Sequence, residues 1–244
     1  SEKDFVAYTL PNHGRIPERN VEGGYVMIPT FDIGASIDYL LKYARDARWD
    51  VVTRAMAVLE ASFVKKINDD AWHTILAAGV DRNIVVYDSD AAAGQFTKRI
   101  VSLMKTVMRR NGGRLTDMYL SPEGLEDIRN WGVDQVDEVT RREIYTAADG
   151  SINRIFNVNL HDIDELGQAQ EYQLFFKKEL SGSLATSDVE LIVGCDLSAS
   201  DSFVMPVRQD VEIFEDDSLH RQRRAGFYGH AEHGFGVLDN RRVI

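Results

Sequence analysis

The chain has 244 residues, 44% hydrophobic and 27% charged, the balance of an ordinary globular protein forming one large domain or two small ones. Its formal charge of −11 argues against a general nucleic-acid binder, because phosphate neutralisation needs a basic surface. The single cysteine, Cys195, excludes an internal disulfide and a cysteine-based zinc site, and no apolar stretch reaches the ~18–20 residues needed to span a bilayer.

Residues 1–17 carry Pro11, Asn12, Gly14 and Pro17 without periodicity and read as an extended arm. The polar Ser1-Glu2-Lys3-Asp4 is no signal peptide, and a start at Ser implies a removed initiator methionine or a cut precursor. Glu22-Gly23-Gly24 runs into Tyr25-Val26-Met27-Ile28-Pro29, which predicts a hairpin-like loop over Glu18–Thr30 with a short strand closed by an edge proline. Ser36 is placed to cap a short helix through Tyr43, with Asp38 in its first turn. Val52, Met56, Leu59, Phe63, Ile67, Ala71 and Ile75 then make one apolar stripe, predicting a helix from about Trp49 to about Ala78 that Gly79 ends. At ~1.5 Å per residue such a rod is about 45 Å long, close to the ~46 Å diameter of a compact domain of this size. A helix that crosses the whole molecule implies a flat or elongated subunit.

Phe96, Ile100, Leu103 and Val107 form a second helical stripe, stopped by Asn111-Gly112-Gly113, and Leu115–Leu120 reads as a strand. Ser121-Pro122-Glu123 opens a third helix, with Ser as cap, Pro at the first helical position and Glu in the first turn; it ends near Trp131-Gly132. Residues 134–172 are polar and read as loops and short strands. Tyr172–Phe176 and Asp188–Val193 read as strands, the second of them buried.

From Asp201 the chain alternates: Phe203, Met205 and Val207 share one face, and Phe227, Gly229 and Ala231 repeat the period of two. Glu215-Asp216-Asp217-Ser218 and Asp239-Asn240 break the runs as turns do. The segments Asp201–Pro206, Phe214–Arg224 and Gly234–Arg242 resemble the C-terminal part of tailed-bacteriophage major capsid proteins of the HK97-like (Johnson) fold. Leu120-Ser121-Pro122 followed by Leu125, Ile128 and Trp131 is similar to the start of that family's A-domain.

The resemblance spans nearly the whole chain and implies an α+β fold with an N-terminal arm at 1–17, an E-loop at 18–34, a P-domain at 35–87 and 203–244, and an A-domain at 88–202. It implies a structural, non-enzymatic subunit without cofactor or metal. Copies would assemble as hexamers and pentamers, with scaffolding, portal and decoration proteins as partners, into an icosahedral head enclosing double-stranded DNA in the host bacterial cytoplasm. Tyr25, Val26, Met27 and Ile28, together with Glu215, Asp216, Asp217, Arg221, Arg223 and Arg224, are the expected inter-subunit contacts. Some family members weld their shells through an E-loop lysine; residues 18–34 contain none, so that crosslink is not expected.

Enzyme readings are weaker. In a strand, His230 and Glu232 share a face while His233 points the other way, so the three do not converge on one metal ion. His161-Asp162 with Asp164-Glu165 reads as a solvated acidic loop before it reads as paired catalytic carboxylates. Cys195 follows Ile192-Val193-Gly194 and reads as an inert core thiol. No nucleophile elbow, phosphate-binding loop or dinucleotide fingerprint is present. The alternatives carried forward are an encapsulin-type nanocompartment shell and a cytosolic metal-dependent hydrolase.

Overall fold

The computed structural model describes residues 26–46, 50–82, 85–86, 88, 90–91, 95–132, 136–144, 154–179, 190–200 and 202–244. The expected arm and the part of the expected E-loop up to Tyr25 lie outside the described residues. Residues 26–30 form no strand; the strand begins one residue later, as β1 (Phe31–Leu40).

Strand β1 takes up the residues expected to start a Ser36-capped helix. Ile37, Leu40, Leu41 and Ala44 fit a helical spacing, but Ile33, Ala35, Ile37 and Tyr39 also fit a period of two. Pairing decides between them: all ten residues of β1 register against β8 (Arg224–His233), from Phe31 opposite His233 to Leu40 opposite Arg224. The helix is confined to α1 (Leu41–Asp46). On its other side β8 pairs with β7 (Val207–Glu215), giving an antiparallel sheet in the order β1-β8-β7. Ala225, Gly229, Ala231 and His233 are buried on one face of β8, with Phe227 half-buried, as the alternation predicted.

The long stripe forms α2 (Val51–Arg82), 32 residues and about 48 Å long. Asp50 caps it, its carboxylate accepting from the backbone N–H of Val52 at 3.0 Å and of Thr53 at 3.1 Å. Gly79 does not end it: the helix passes through, and the bare Cα sits where an added Cβ would meet Val243 at 3.6 Å. The two halves of α2 serve different cores. Leu59 and Phe63 pack with Ile33 of β1 and Ala231 of β8, while Trp72, Ile75 and Leu76 pack with Tyr119, Tyr172, Val193, Cys195 and Val243.

The second sheet has the order β3-β4-β2-β5, formed by β2 (Asp117–Leu120), β3 (Arg154–Ile155), β4 (Val158–Asp162) and β5 (Val193–Cys195). Strands β2 and β4 are parallel; the other pairs are antiparallel. Met118 and Leu120 point into a core with α3 (Lys98–Arg110), α4 (Pro122–Asn130) and α5 (Glu138–Ile144), whereas Tyr119 points to α2 and α6 (Glu171–Glu179). The sheet is therefore covered on both faces. The Ser121 cap holds as expected, accepting from the Gly124 N–H at 3.1 Å. Helix α3 buries Val101, Met104 and Met108, a stripe rotated from the expected one, and Gly112 ends it at φ 87°.

Residues 171–179 form α6 where a strand was expected. Tyr172 and Gln173 turn inward at adjacent helical positions, and the Gln173 amide oxygen accepts from the Ala169 N–H at 2.7 Å, which secures the helix start. Packing of Tyr172 against Trp72 outweighs the strand preference of an aromatic run. The expected strand at Asp188–Val193 shifts to Val193–Cys195, and residues 190–192 are coil. A short pair, β6 (Phe203–Val204) with β9 (Gly236–Val237), closes the C-terminal region.

Candidate functional site

The charged strip lies at the far end of the β7–β8 hairpin. The Asp216 side chain accepts from the Ser218 N–H at 3.0 Å and caps a 3-10 turn, Asp217–Gln222, that ends at Arg223 with φ 56°. Arg224 reaches across to Asp38 of β1, 3.1 Å away, so this arginine is paired inside the subunit and not with the neighbouring acids. Glu215, Arg221 and Arg223 are exposed. A half-exposed pair such as Arg224–Asp38 stabilises by only ~0–1 kcal/mol.

The apolar run before β1 divides. Val26 is 72% exposed and Met27 83% exposed, whereas Ile28 turns in against Gly236, where an added Cβ would lie 2.7 Å from the Ile28 Cδ1. Tyr25 lies outside the described residues. Phe31, at the open edge of the sheet, is also largely exposed. Val26 and Met27 are thus adjacent large apolar side chains that stand in water on the single subunit.

A third surface was not read from the sequence. A groove of about 1140 Å³ runs along α3 and is bounded by α5 and the β3–β4 turn. Six cationic side chains line it, Lys98, Arg99, Lys105, Arg109, Arg110 and Arg114, against one acid, Asp137. Five of them sit on α3 and their places follow from its buried stripe: with Val101, Met104 and Met108 inward, the basic positions face out along the whole helix, and Arg114 follows in the turn after it. Arg99 pairs with Asp90 and lies 3.4 Å from Asp88; Lys105 donates to the Phe156 carbonyl at 2.6 Å. Phe156 and Asn157 both have positive φ, 47° and 65°, as a two-residue hairpin turn requires.

The carboxyl ends of the parallel strands β2 and β4 carry the opposite sign. Glu123 and Glu126 follow β2 on α4; Asp162, Asp164 and Glu165 end β4 and enter a 3-10 turn. Glu190 accepts from the Ser121 hydroxyl at 2.9 Å. Burial raises the Glu190 carboxyl above its ordinary range, and the charges of Glu123 and Asp127 raise it further.

Within the sheet, His161 Nε2 lies 2.9 Å from Asp117 Oδ1 and its ring stacks on Tyr119. Burial raises the Asp117 carboxyl, but hydrogen bonds from His161, Thr116 and Asn159 outweigh it and hold the group below its usual range. This pair ties β2 to β4. Cys195 is buried, and burial pushes its thiol up to about 12, helped by the charges of Asp117 and Asp196, so it is no thiolate near neutral pH. His230 is exposed while His233 is buried on the opposite face, as the alternation predicted. No cluster of metal-binding residues occurs among the described residues, and none of their helices is long and apolar enough to cross a membrane.

No protein-family model and no curated protein matches the sequence. Solved structures do match in shape. That of Microbacterium phage Oxtober96 superposes with a TM-score of 0.62 at 10% identity, covering 96% of this chain and 74% of the other. The capsid of the Cyanophage P-SCSP1u gives 0.62 at 9% identity, covering 98% and 79%. The holo-SrpI encapsulin complex from Synechococcus elongatus PCC 7942 gives 0.56 at 13% identity, covering 88% and 72%. At such identities the likeness is one of fold: the chain has the HK97-like fold common to phage capsids and encapsulins.

Proposed function

We propose that this chain is the major coat subunit of a tailed-phage head. Many copies form hexamers and pentamers that close into an icosahedral shell around double-stranded DNA inside the host bacterial cytoplasm. The observation that carries the reading is that nearly the whole chain, 96–98% of it, follows the course of phage capsid structures. The build of the subunit supports it, because α2 packs against two separate cores along one rod. On this reading α2, β7, β8 and the part of β1 from residue 35 on belong to the P-domain within 35–87 and 203–244. The four-stranded sheet with α3, α4 and α5 belongs to the A-domain within 88–202, and residues up to 34 supply the arm and E-loop. Scaffolding, portal and decoration proteins are the further partners.

The chain expressed alone or with its precursor and scaffold should give particles or capsomer-sized rings by electron microscopy and mass photometry. A species that remains at 27.6 kDa under all such conditions would overturn the shell reading. A nanocompartment of the encapsulin type is the second reading, favoured by the fold match to the encapsulin complex. Purified particles separate the two: nuclease-protected DNA marks a phage head, and a stoichiometric cargo protein marks a nanocompartment.

A further inference from the structure

The six-cation groove stands out because the chain as a whole carries −11. Its densest part, Arg109, Arg110 and Arg114, comes just before β2, beside the Phe156 turn that precedes β4. The acidic group, Glu123, Glu126, Asp162, Asp164 and Glu165, lies just after β2 and β4. Because β2 and β4 run parallel, the two groups sit at opposite ends of the same pair of strands, roughly 13 Å apart along a four-residue strand at ~3.3 Å per residue. Asp162 and Asp164 are exposed and carry no ion pair among the described residues.

We propose that the α3 groove receives the acidic carboxyl-end face of a second copy of this chain, centred on Asp162, Asp164 and Glu123. The inference rests on the shell reading and names a contact within it. A groove on one end and its complement on the other make a heterologous, head-to-tail contact, and such a contact closes into a ring when its rotation allows. Complementary charge also sets the register and speeds encounter, since a like-charged approach is repelled. A second copy fits better than a polyphosphate chain for two reasons. The rest of the molecule would repel nucleic acid, and the five facing acids match in number the five lining cations other than Arg99, which Asp90 already pairs. The His161-Asp162 and Asp164-Glu165 pairs, set aside above as a solvated acidic loop, gain a role in this contact.

Three variants of the full chain test it: Arg109→Glu with Arg114→Glu; Asp162→Arg with Asp164→Arg; and the four changes together. Each is followed beside the wild type by mass photometry across 50–500 mM salt, with circular dichroism to check folding. Each half-reversal should raise the concentration needed for assembly by about tenfold or more, because it sets like charges face to face. The four-fold charge swap should restore assembly, as should an equimolar mixture of the two half-reversals, which no folding defect explains. If wild type assembles and the half-reversed chains assemble equally well, this contact is overturned while the shell reading stands. If wild type stays monomeric throughout, the shell reading fails and the contact with it. A single-stranded 20-mer DNA is the competing occupant: loss of its binding on groove reversal, with assembly untouched, would reassign the groove to phosphates.

Discussion

The guanidinium of Arg242 donates to the carboxylate of Asp196, a side chain with no solvent exposure. Asp196 also accepts from the backbone N–H of Arg114 at 2.7 Å and of Ser198 at 3.1 Å, so one carboxylate ties the turn after α3, the loop after β5 and the C-terminal 3-10 turn. Burial alone would raise this carboxyl, but the hydrogen bonds from Ser198, Arg114 and Arg242 outweigh it and hold the group below the ordinary range.

Removing the arginine leaves a buried charge with neutral donors only. Arg242→Ala should cost about 2 kcal/mol, read as a lower denaturant midpoint with an unchanged slope. Because the folded value of Asp196 is depressed, its contribution is complete above the unfolded value near pH ~4 and is lost as pH falls through the folded value. Asp196→Asn should therefore destabilise at neutral pH and flatten the acid limb of the melting curve below pH ~4. Parallel acid limbs in mutant and wild type would show that Asp196 is not the group responsible.

His233 is 4% exposed and neither ring nitrogen has a hydrogen-bond partner among the described residues. Unpaired buried polar atoms cost ~1–3 kcal/mol each. His233→Leu, close in volume, should raise the thermal midpoint by about 2–4 °C. A lower midpoint would mean that the ring finds partners in solution.

Gly229 lets α2 approach the sheet: a Cβ there would meet the Phe63 ring at 2.9 Å and the Glu212 carbonyl at 3.0 Å. Gly229→Val should cost about 1–3 kcal/mol by overpacking. Gly229→Val combined with Phe63→Leu should lose less than the sum of the two single changes, because each relieves the other. Strict additivity would show that the clash is not with Phe63.

Val26 and Met27 stand in water on one subunit. Deleting residues 20–28 should leave a folded chain that no longer forms particles, with circular dichroism and electron microscopy as the two readouts. Normal particles from the deletion would remove this segment from the assembly contacts.

Reversing Arg223 and Arg224 to Glu should slow assembly through loss of contacts at the hairpin tip. Arg224 also faces Asp38, so a small fall in monomer stability, on the order of 1 kcal/mol, accompanies it. Unfolding of the double mutant would show that the tip is needed within the subunit, and normal assembly at low and high salt would place the interface elsewhere.

Local signals were legible where short-range chemistry decides. Ser121-Pro122-Glu123 opened α4 as read, because a cap, a fixed φ and a first-turn acid act within four residues. The α2 stripe was legible because burial repeats over many turns. Residues 31–40 and 171–179 were not, since each fits two periods and distant partners, β8 and Trp72, settle the choice. The basic groove escaped because a net charge averages over the chain. The spacing Lys98, Ser102, Lys105 and Arg109, which is one helical face, was its readable trace.

The division of labour along α2 bears on how such a chain drifts. A residue packed at Phe63 has its neighbours in the β1-β8-β7 sheet, and one packed at Leu76 has its neighbours around Tyr172 and Val243. Changes in one core place no demand on the other, so each can be rewritten separately while the rod keeps their spacing. One outline is thus compatible with very different sequences, as the overlap of this chain with solved phage structures at 9–10% identity illustrates.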